Sequence, residues 1–282
     1  MAMGGLRACW IVVSGLMLAA CAAGALDPEE RLRRAEEIAA GSHLTRGTFE
    51  TGTFRLTGFV KPGKGDVLSV YIEGDGFAWV TRHRPSRDPT PVDPVALRLA
   101  VADGGNVAYI ARPCQYSRVV SPECDARYWT SERFAPAVID ALNVALNQVK
   151  LQSGANALVL VGYSGGGAVA ALLAAQRSDV VHLVTVAGNL DHVVWSRLHG
   201  LSPLEGSLNP PDFWPGLEGI PQTHFVGALD QTVPITVYRA YRSRFREQAD
   251  IQVRIVDAAD HRCCWAREWP HLLETISNRG VW

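Results

Sequence analysis

The 282-residue chain has no excess of charge of either sign, with 27 lysines and arginines against 28 aspartates and glutamates and a formal net charge of −1. A basic stripe that would follow a nucleic-acid backbone is excluded on that balance, and so is an acidic, solvated tail. The chain has no internal repeat, which excludes a solenoid or propeller, and no low-complexity block. No apolar run reaches the about 20 residues needed to cross a bilayer core of about 30 Å. His-Glu-x-x-His is absent and no two cysteines are spaced Cys-x-x-Cys, so the sequence contains no zinc pattern and implies no metal. What remains is an ordinary globular composition, 48% hydrophobic and 20% charged, in a chain long enough to bury a sizeable core.

The first residues differ from the rest. Arg7 precedes an apolar stretch, Ala8 to Ala20, that is short and closes on small residues, the pattern of a secretory signal. Leu18-Ala19-Ala20-Cys21 resembles the lipobox of bacterial lipoproteins. That resemblance implies a signal peptide over residues 1–20 and a diacylglycerol on the Cys21 sulfur. With Ala22 and not aspartate following, it implies a lipid anchor in the bacterial cell envelope, at the periplasmic face of the outer membrane. The other reading is an ordinary signal cleaved in the Ala-rich stretch up to Ala25. After export, Cys114, Cys124, Cys263 and Cys264 remain in an oxidising compartment, and four cysteines allow three pairings. A local Cys114–Cys124 bridge is expected, with a bond from either to Cys263 or Cys264 as its rival. The adjacent pair is left open between a vicinal bond and free thiols.

Residues 21–46 are expected to form a tether that contains a short helix, and residues 47–282 one domain. "GTFETGTFRLTGFV" alternates in the manner of a strand. From Val67 onward, short β-branched apolar runs alternate with helical stretches, the longest being "SERFAPAVIDALNVALNQVKLQSG". This predicts an α/β fold with a mostly parallel sheet covered on both faces, and function at the carboxyl ends of the strands. The stretch 189–221 is too long for an ordinary connection and is expected to be a short cap or lid insertion.

One such strand end is Gly162-Tyr163-Ser164-Gly165-Gly166-Gly167, between "ALVLV" and "AVAALLAAQ". A phosphate loop of the Gly-Lys-Ser type is excluded, because no lysine follows. A dinucleotide fingerprint fits Gly165 to Ala170, yet the next strand lacks the acidic residue that would hold a ribose. A glycine-rich joint without chemistry is a third reading. Gly162-x-Ser164-x-Gly166 in a strand–turn–helix context is the pattern of a nucleophile elbow.

On these residues the chain resembles the α/β-hydrolase superfamily from about Gly47 onward. The resemblance implies a serine hydrolase that cleaves an ester or related acyl bond through an acyl-enzyme, without a cofactor. Ser164 would be the nucleophile, His261 its base and Asp230 the orienting acid, in the family's chain order. Asp191 is the alternative acid. The oxyanion donors implied are the backbone N–H groups of Gly165 and of Asp75, with Gly76 as the alternative to Asp75. The family often carries His-Gly-x where this chain has Glu73-Gly74-Asp75. A carboxylate there would repel an oxyanion, so Glu73 and Asp75 are expected to point away or to pair with a cation such as Arg112. The expected partner is a small-molecule or lipid ester, not nucleic acid. The reading from another class is a non-catalytic envelope lipoprotein that uses this fold to bind a ligand or partner.

Lipidation predicts that Cys21→Ser releases the protein from membranes into the soluble fraction after a high-salt wash, since stable anchoring needs more than one acyl chain. Fractionation followed by immunoblotting checks this.

Overall fold

The computed structural model describes residues 27–61, 63–117, 121 and 123–277. The expected signal segment and Cys21 lie outside the described residues. Eight strands form one sheet: β1 (Thr45–Glu50), β2 (Arg55–Lys61), β3 (Val67–Ile72), β4 (Val107–Ile110), β5 (Ala157–Tyr163), β6 (Val180–Val186), β7 (Gln222–Gly227) and β8 (Ile251–Val256). Their spatial order is β1-β2-β4-β3-β5-β6-β7-β8. β2 runs antiparallel to both β1 and β4, and every later pairing is parallel.

The stretch expected to be one alternating strand is two. Gly52, at φ 85°, turns the chain, and Thr51 closes the turn with its Oγ1 donating to the Phe54 carbonyl at 2.6 Å. Alternation gives the same signal in both arms of a hairpin, so the pattern does not mark the reversal.

Among the described residues the longer helices are α1 (Pro28–Ala40), α2 (Val95–Ala102), α3 (Pro136–Ser153), α4 (Gly165–Ala174), α5 (His192–Leu198), α6 (Ile235–Arg242) and α7 (Trp265–Ser277). Strand residues divide between two cores by alternation. Leu68, Val70, Leu158 and Leu160 pack with α3 and α4, while Tyr71, Val159 and Val161 pack with α2 and α7. Burial on both faces is why these strands are continuous apolar runs. α3 begins at Pro136 and not at Ser131 as expected. Proline fits the first helical turn, where its missing N–H has no partner to lose.

α1 does not stand off as a tether. Ala35 and Ala39 are buried in the core beside α2 and Trp269, and the buried Arg31 guanidinium donates to the Thr90 carbonyl. The packed body therefore includes α1, ahead of the expected boundary at 47. Small alanines on one helix face gave too weak a hydrophobic signal to show this.

Two pieces of chain rise above the carboxyl ends of the strands. One is a hairpin, Trp79–Thr81 with Arg84–Pro85, too short to show as alternation in the sequence. The other is the 189–221 stretch, which contains α5, a 3-10 turn at Pro210–Phe213 and a short helix at Trp214–Leu217. It is tied to the body, with Ser207 Oγ donating to the Ser131 carbonyl at 2.7 Å and Leu208 N to the Phe134 carbonyl at 3.0 Å.

Cys114 and Cys124 are paired, with Cα atoms 5.5 Å apart. Cys263 and Cys264 are paired with each other. Closing the loop between Cys114 and Cys124 removes freedom from the unfolded chain. The Cys114→Ala/Cys124→Ala double variant is expected to lose about 2–3 kcal/mol in urea unfolding, the chain-entropy figure for a loop of this size.

Candidate active site

β5 passes into α4 through one residue, Ser164, held at φ 53° and ψ −121°. Such a conformation costs a residue with a Cβ on the order of 1–3 kcal/mol and persists only where the surroundings impose it. Here they do. A Cβ on Gly162 would lie 2.2 Å from the Gly166 carbonyl oxygen, and one on Gly166 would lie 2.3 Å from the Ile72 carbonyl oxygen. The glycines let α4 lie close against β3 and β5, which leaves the serine at the crest of the turn.

Ser164 Oγ stands 3.0 Å from His261 Nε2, and His261 Nδ1 stands 2.9 Å from Asp230 Oδ2. Asp230 follows β7, and its Oδ1 accepts from the N–H groups of Thr232 and Val233 at 2.8 Å each. His261 lies in the loop after β8. Its carbonyl accepts from the Tyr163 hydroxyl at 2.9 Å and the Trp265 indole at 3.2 Å. Asp260, its neighbour, is turned away, with Oδ1 accepting from the N–H groups of Arg262 and Cys263 at 2.7 Å. Asp191 does not reach the histidine. It caps α5, with Oδ1 accepting from Val193 and Val194 N–H at 3.1 Å.

The loop after β3 lies beside the elbow. Among the described residues the N–H groups of Gly165 and Asp75 have no hydrogen-bond acceptor. The Asp75 carboxylate is held between two buried arginines, 3.4 Å from Arg112 Nη1 and 2.6 Å from Arg133 Nη1. Arg133 was not foreseen. The only sequence signal was an acidic loop that needed a cation, which does not say which arginine supplies it. Gly76, at φ 65°, sits where a Cβ would be 2.0 Å from the Pro89 carbonyl oxygen.

A cavity of about 1000 Å³ opens over Ser164 and His261. Phe77, Trp79 and Trp195 line it, with Leu201 and Leu204 from the 189–221 stretch. Of the aromatics in the neighbouring loops, Tyr116, Trp129 and Trp265 are buried, and Trp214 packs against the core.

No protein-family model and no curated protein matches this chain. Solved structures do. A Pyrococcus furiosus esterase superposes with a TM-score of 0.59 at 13% identity, over 86% of this chain and 92% of that one. The esterase domain of a Rhodothermus marinus protein gives 0.58 at 14%, over 85% and 98%. A Xanthomonas campestris α/β serine hydrolase described as without a lid gives 0.55 at 14%, over 84% and 95%. The fold is the α/β-hydrolase fold.

Within the α/β-hydrolase fold the remaining histidines sort by burial. His182 on β6 and His224 on β7 are fully buried. His224 Nδ1 lies 2.7 Å from Thr185 Oγ1, and burial pushes its pKa down to about 3. His192 packs against Phe134. His199 Nε2 stands 2.9 Å from the Thr232 carbonyl, on which the Trp195 indole N–H also converges at 2.8 Å. His83 lines the cavity.

Glu73 pairs with no arginine among the described residues. It is 1% exposed and accepts from Gly74 N–H at 2.9 Å and the Tyr109 hydroxyl at 3.2 Å. Burial pushes its carboxyl up to about 7, against the opposing pull of those hydrogen bonds. A carboxyl whose pKa is raised on folding contributes stability that is full below its unfolded value and lost as pH rises through the folded value. From about pH 5 to about pH 8, wild type should therefore lose on the order of 3 kcal/mol relative to Glu73→Gln, whose amide does not titrate. Urea unfolding of both proteins across that range measures the difference.

Proposed function

We propose that this protein is a serine hydrolase that cleaves an ester or related acyl bond. The observation that carries the reading is the continuous relay of 3.0 Å and 2.9 Å contacts from a strained serine through His261 to a buried carboxylate at the floor of an apolar cavity. A serine hydroxyl is a weak nucleophile at neutral pH and needs a base, and the base needs an acid to hold its tautomer.

In this reading Asp230 accepts from the Nδ1–H of His261, which leaves Nε2 free to take the Ser164 proton. Ser164 Oγ attacks the acyl carbon. The tetrahedral oxyanion is bound by the N–H groups of Gly165 and Asp75, which have no other acceptor among the described residues. The N–H of Gly165 also opens α4, where the helix dipole favours negative charge. His261 then protonates the leaving group, and water admitted to the cavity repeats the sequence on the acyl-enzyme. The groups named supply nucleophile, base, orienting acid and donors, and the scheme calls on no cofactor.

The Asp75 carboxylate does not spoil the oxyanion site, because Arg112 and Arg133 compensate its charge. The Pyrococcus and Rhodothermus proteins are described as esterases, which agrees with an acyl substrate. The envelope location follows from the lipobox resemblance at Cys21 and is part of the same proposal.

Ser164→Ala and His261→Ala should each lower kcat/KM for an acyl ester by about 10⁴-fold or more, and the double variant should be little worse than either, because the residues act as a unit. Asp230→Asn should cost far more rate than Asp191→Asn. Purified protein should be labelled by a fluorophosphonate at Ser164 and nowhere else. Absence of labelling, or Ser164→Ala activity within about tenfold of wild type, would favour a non-catalytic binding protein.

A further inference from the structure

Few of the polar groups around the cavity over Ser164 are buried. Among the described residues, the buried polar side chains that line it are Glu73, Arg133, Tyr163 and Asn189. The first three have partners. Glu73 accepts from the Gly74 N–H and the Tyr109 hydroxyl, Arg133 pairs with Asp75, and the Tyr163 hydroxyl donates to the His261 carbonyl. Asn189 is 2% exposed, and its carboxamide makes no hydrogen bond among the described residues. Oδ1 is the enclosed atom, which leaves Nδ2 as the edge that meets the cavity. A buried amide without a partner is costly, and folded proteins keep few of them.

The backbone of Asn189 is fixed against the nucleophile. β6 lies beside β5 on the side away from β3. The Ser164 N–H donates to the Val186 carbonyl at 2.9 Å, and the Asn189 N–H donates to the Ser164 carbonyl at 2.9 Å. Ala187, at φ 49°, and Gly188 make the turn between those two bonds. A Cβ on Gly167 would lie 2.8 Å from the Gly188 Cα, so α4 packs directly on that turn. Asn189 therefore flanks Ser164 on the side away from the loop that carries Asp75. An acyl group on Ser164 Oγ keeps its place relative to such a residue through both half-reactions, whereas the leaving group departs past His261.

We propose that Asn189 selects the acyl group, its carboxamide bonding a hydroxyl close to the reacting carbonyl, so that the preferred substrates are esters of hydroxy acids; this rests on the serine-hydrolase reading. A hydroxyl accepts from Nδ2, and it donates to Oδ1 if the amide turns over, a turn that no protein hydrogen bond opposes. The walls formed by Phe77, Trp195, Leu201 and Leu204 favour a methyl group over a hydroxyl, so a preference for the hydroxyl requires a specific partner.

The test compares two para-nitrophenyl esters of nearly one shape, β-hydroxybutyrate and isovalerate, which differ by a hydroxyl in place of a methyl. Each rate is divided by that of spontaneous hydrolysis, so that the pull of the hydroxyl on the carbonyl cancels. Wild type is expected to favour the hydroxyacyl ester by about tenfold in kcat/KM, the effect of one neutral hydrogen bond. In Asn189→Leu the preference should pass to isovalerate, because the apolar walls then decide. Asn189→Ala, which is smaller than the residue it replaces, gives the same reading if the leucine variant does not fold. Wild type that prefers isovalerate overturns the proposal, and so does a hydroxyl preference that both variants retain. Variants that slow both esters equally would show a structural role and overturn it as well. A preference that appears only when the hydroxyl is in the alcohol, as between hydroxyethyl and ethyl butyrate, overturns the acyl assignment. Protein that a fluorophosphonate labels at Ser164 but that does not favour the hydroxyl removes this inference alone, and protein that is neither labelled nor active removes the hydrolase reading with it.

Discussion

The structure turns on the close approach of one helix to a sheet. α4 is buried along its whole length, and it sits near enough to β3 and β5 that a single methyl group on Gly162 or Gly166 would overlap a carbonyl oxygen, at 2.2 and 2.3 Å. That contact leaves Ser164 no room for an ordinary conformation. It also puts the first N–H of α4 beside the loop that follows β3. The strain is local, and the helix and strands that impose it are among the best buried parts of the molecule, which is how the strain survives.

Around this point the fold resolves an electrostatic conflict. The loop after β3 carries two carboxylates beside the elbow, close to the unpartnered N–H groups of Gly165 and Asp75. They are dealt with by different means. Asp75 keeps its charge and is matched by Arg112 and Arg133. Glu73 is buried among an N–H, a hydroxyl and apolar side chains, and its carboxyl is pushed toward the neutral form. Burying an uncompensated charge would cost several kcal/mol, so one carboxylate is paired and the other is biased toward the acid. The Asp75 side chain also lies over Gly165, where a Cβ would be 2.1 Å from its Oδ1. The arginine pair therefore sets the loop against the elbow as well as compensating charge.

The 189–221 stretch works as a wall of the cavity. Its hydrogen bonds to Ser131 and Phe134 fix its far end. At its near end Trp195 and His199 both bond the Thr232 carbonyl, two residues from Asp230, while the Trp195 ring lies 5.8 Å from the guanidinium of Arg133. One side chain of the insertion thus touches both the loop that holds Asp230 and the arginine that holds Asp75.

The order of strands and helices was legible in the sequence because buried parallel strands are uniform apolar runs and glycines mark their ends. The elbow was legible because a turn that forbids side chains must be written in glycine. The loops bearing Asp230 and His261 could be named because each follows a strand end, where an α/β sheet presents its chemistry. Other features were not legible, for one common reason. The hairpin at Trp79, the docking of α1, the partnership of Arg133 with Asp75 and the position of Trp195 are all contacts between residues far apart in the chain, and local periodicity carries no information about them. The sequence alone determined which residue types stand at the carboxyl edge of the sheet. Only the tertiary structure decided which of its many arginines neutralises the loop, and that Asp191 caps a helix while Asp230 faces the histidine, because those choices depend on distances that exist only once the helices have packed.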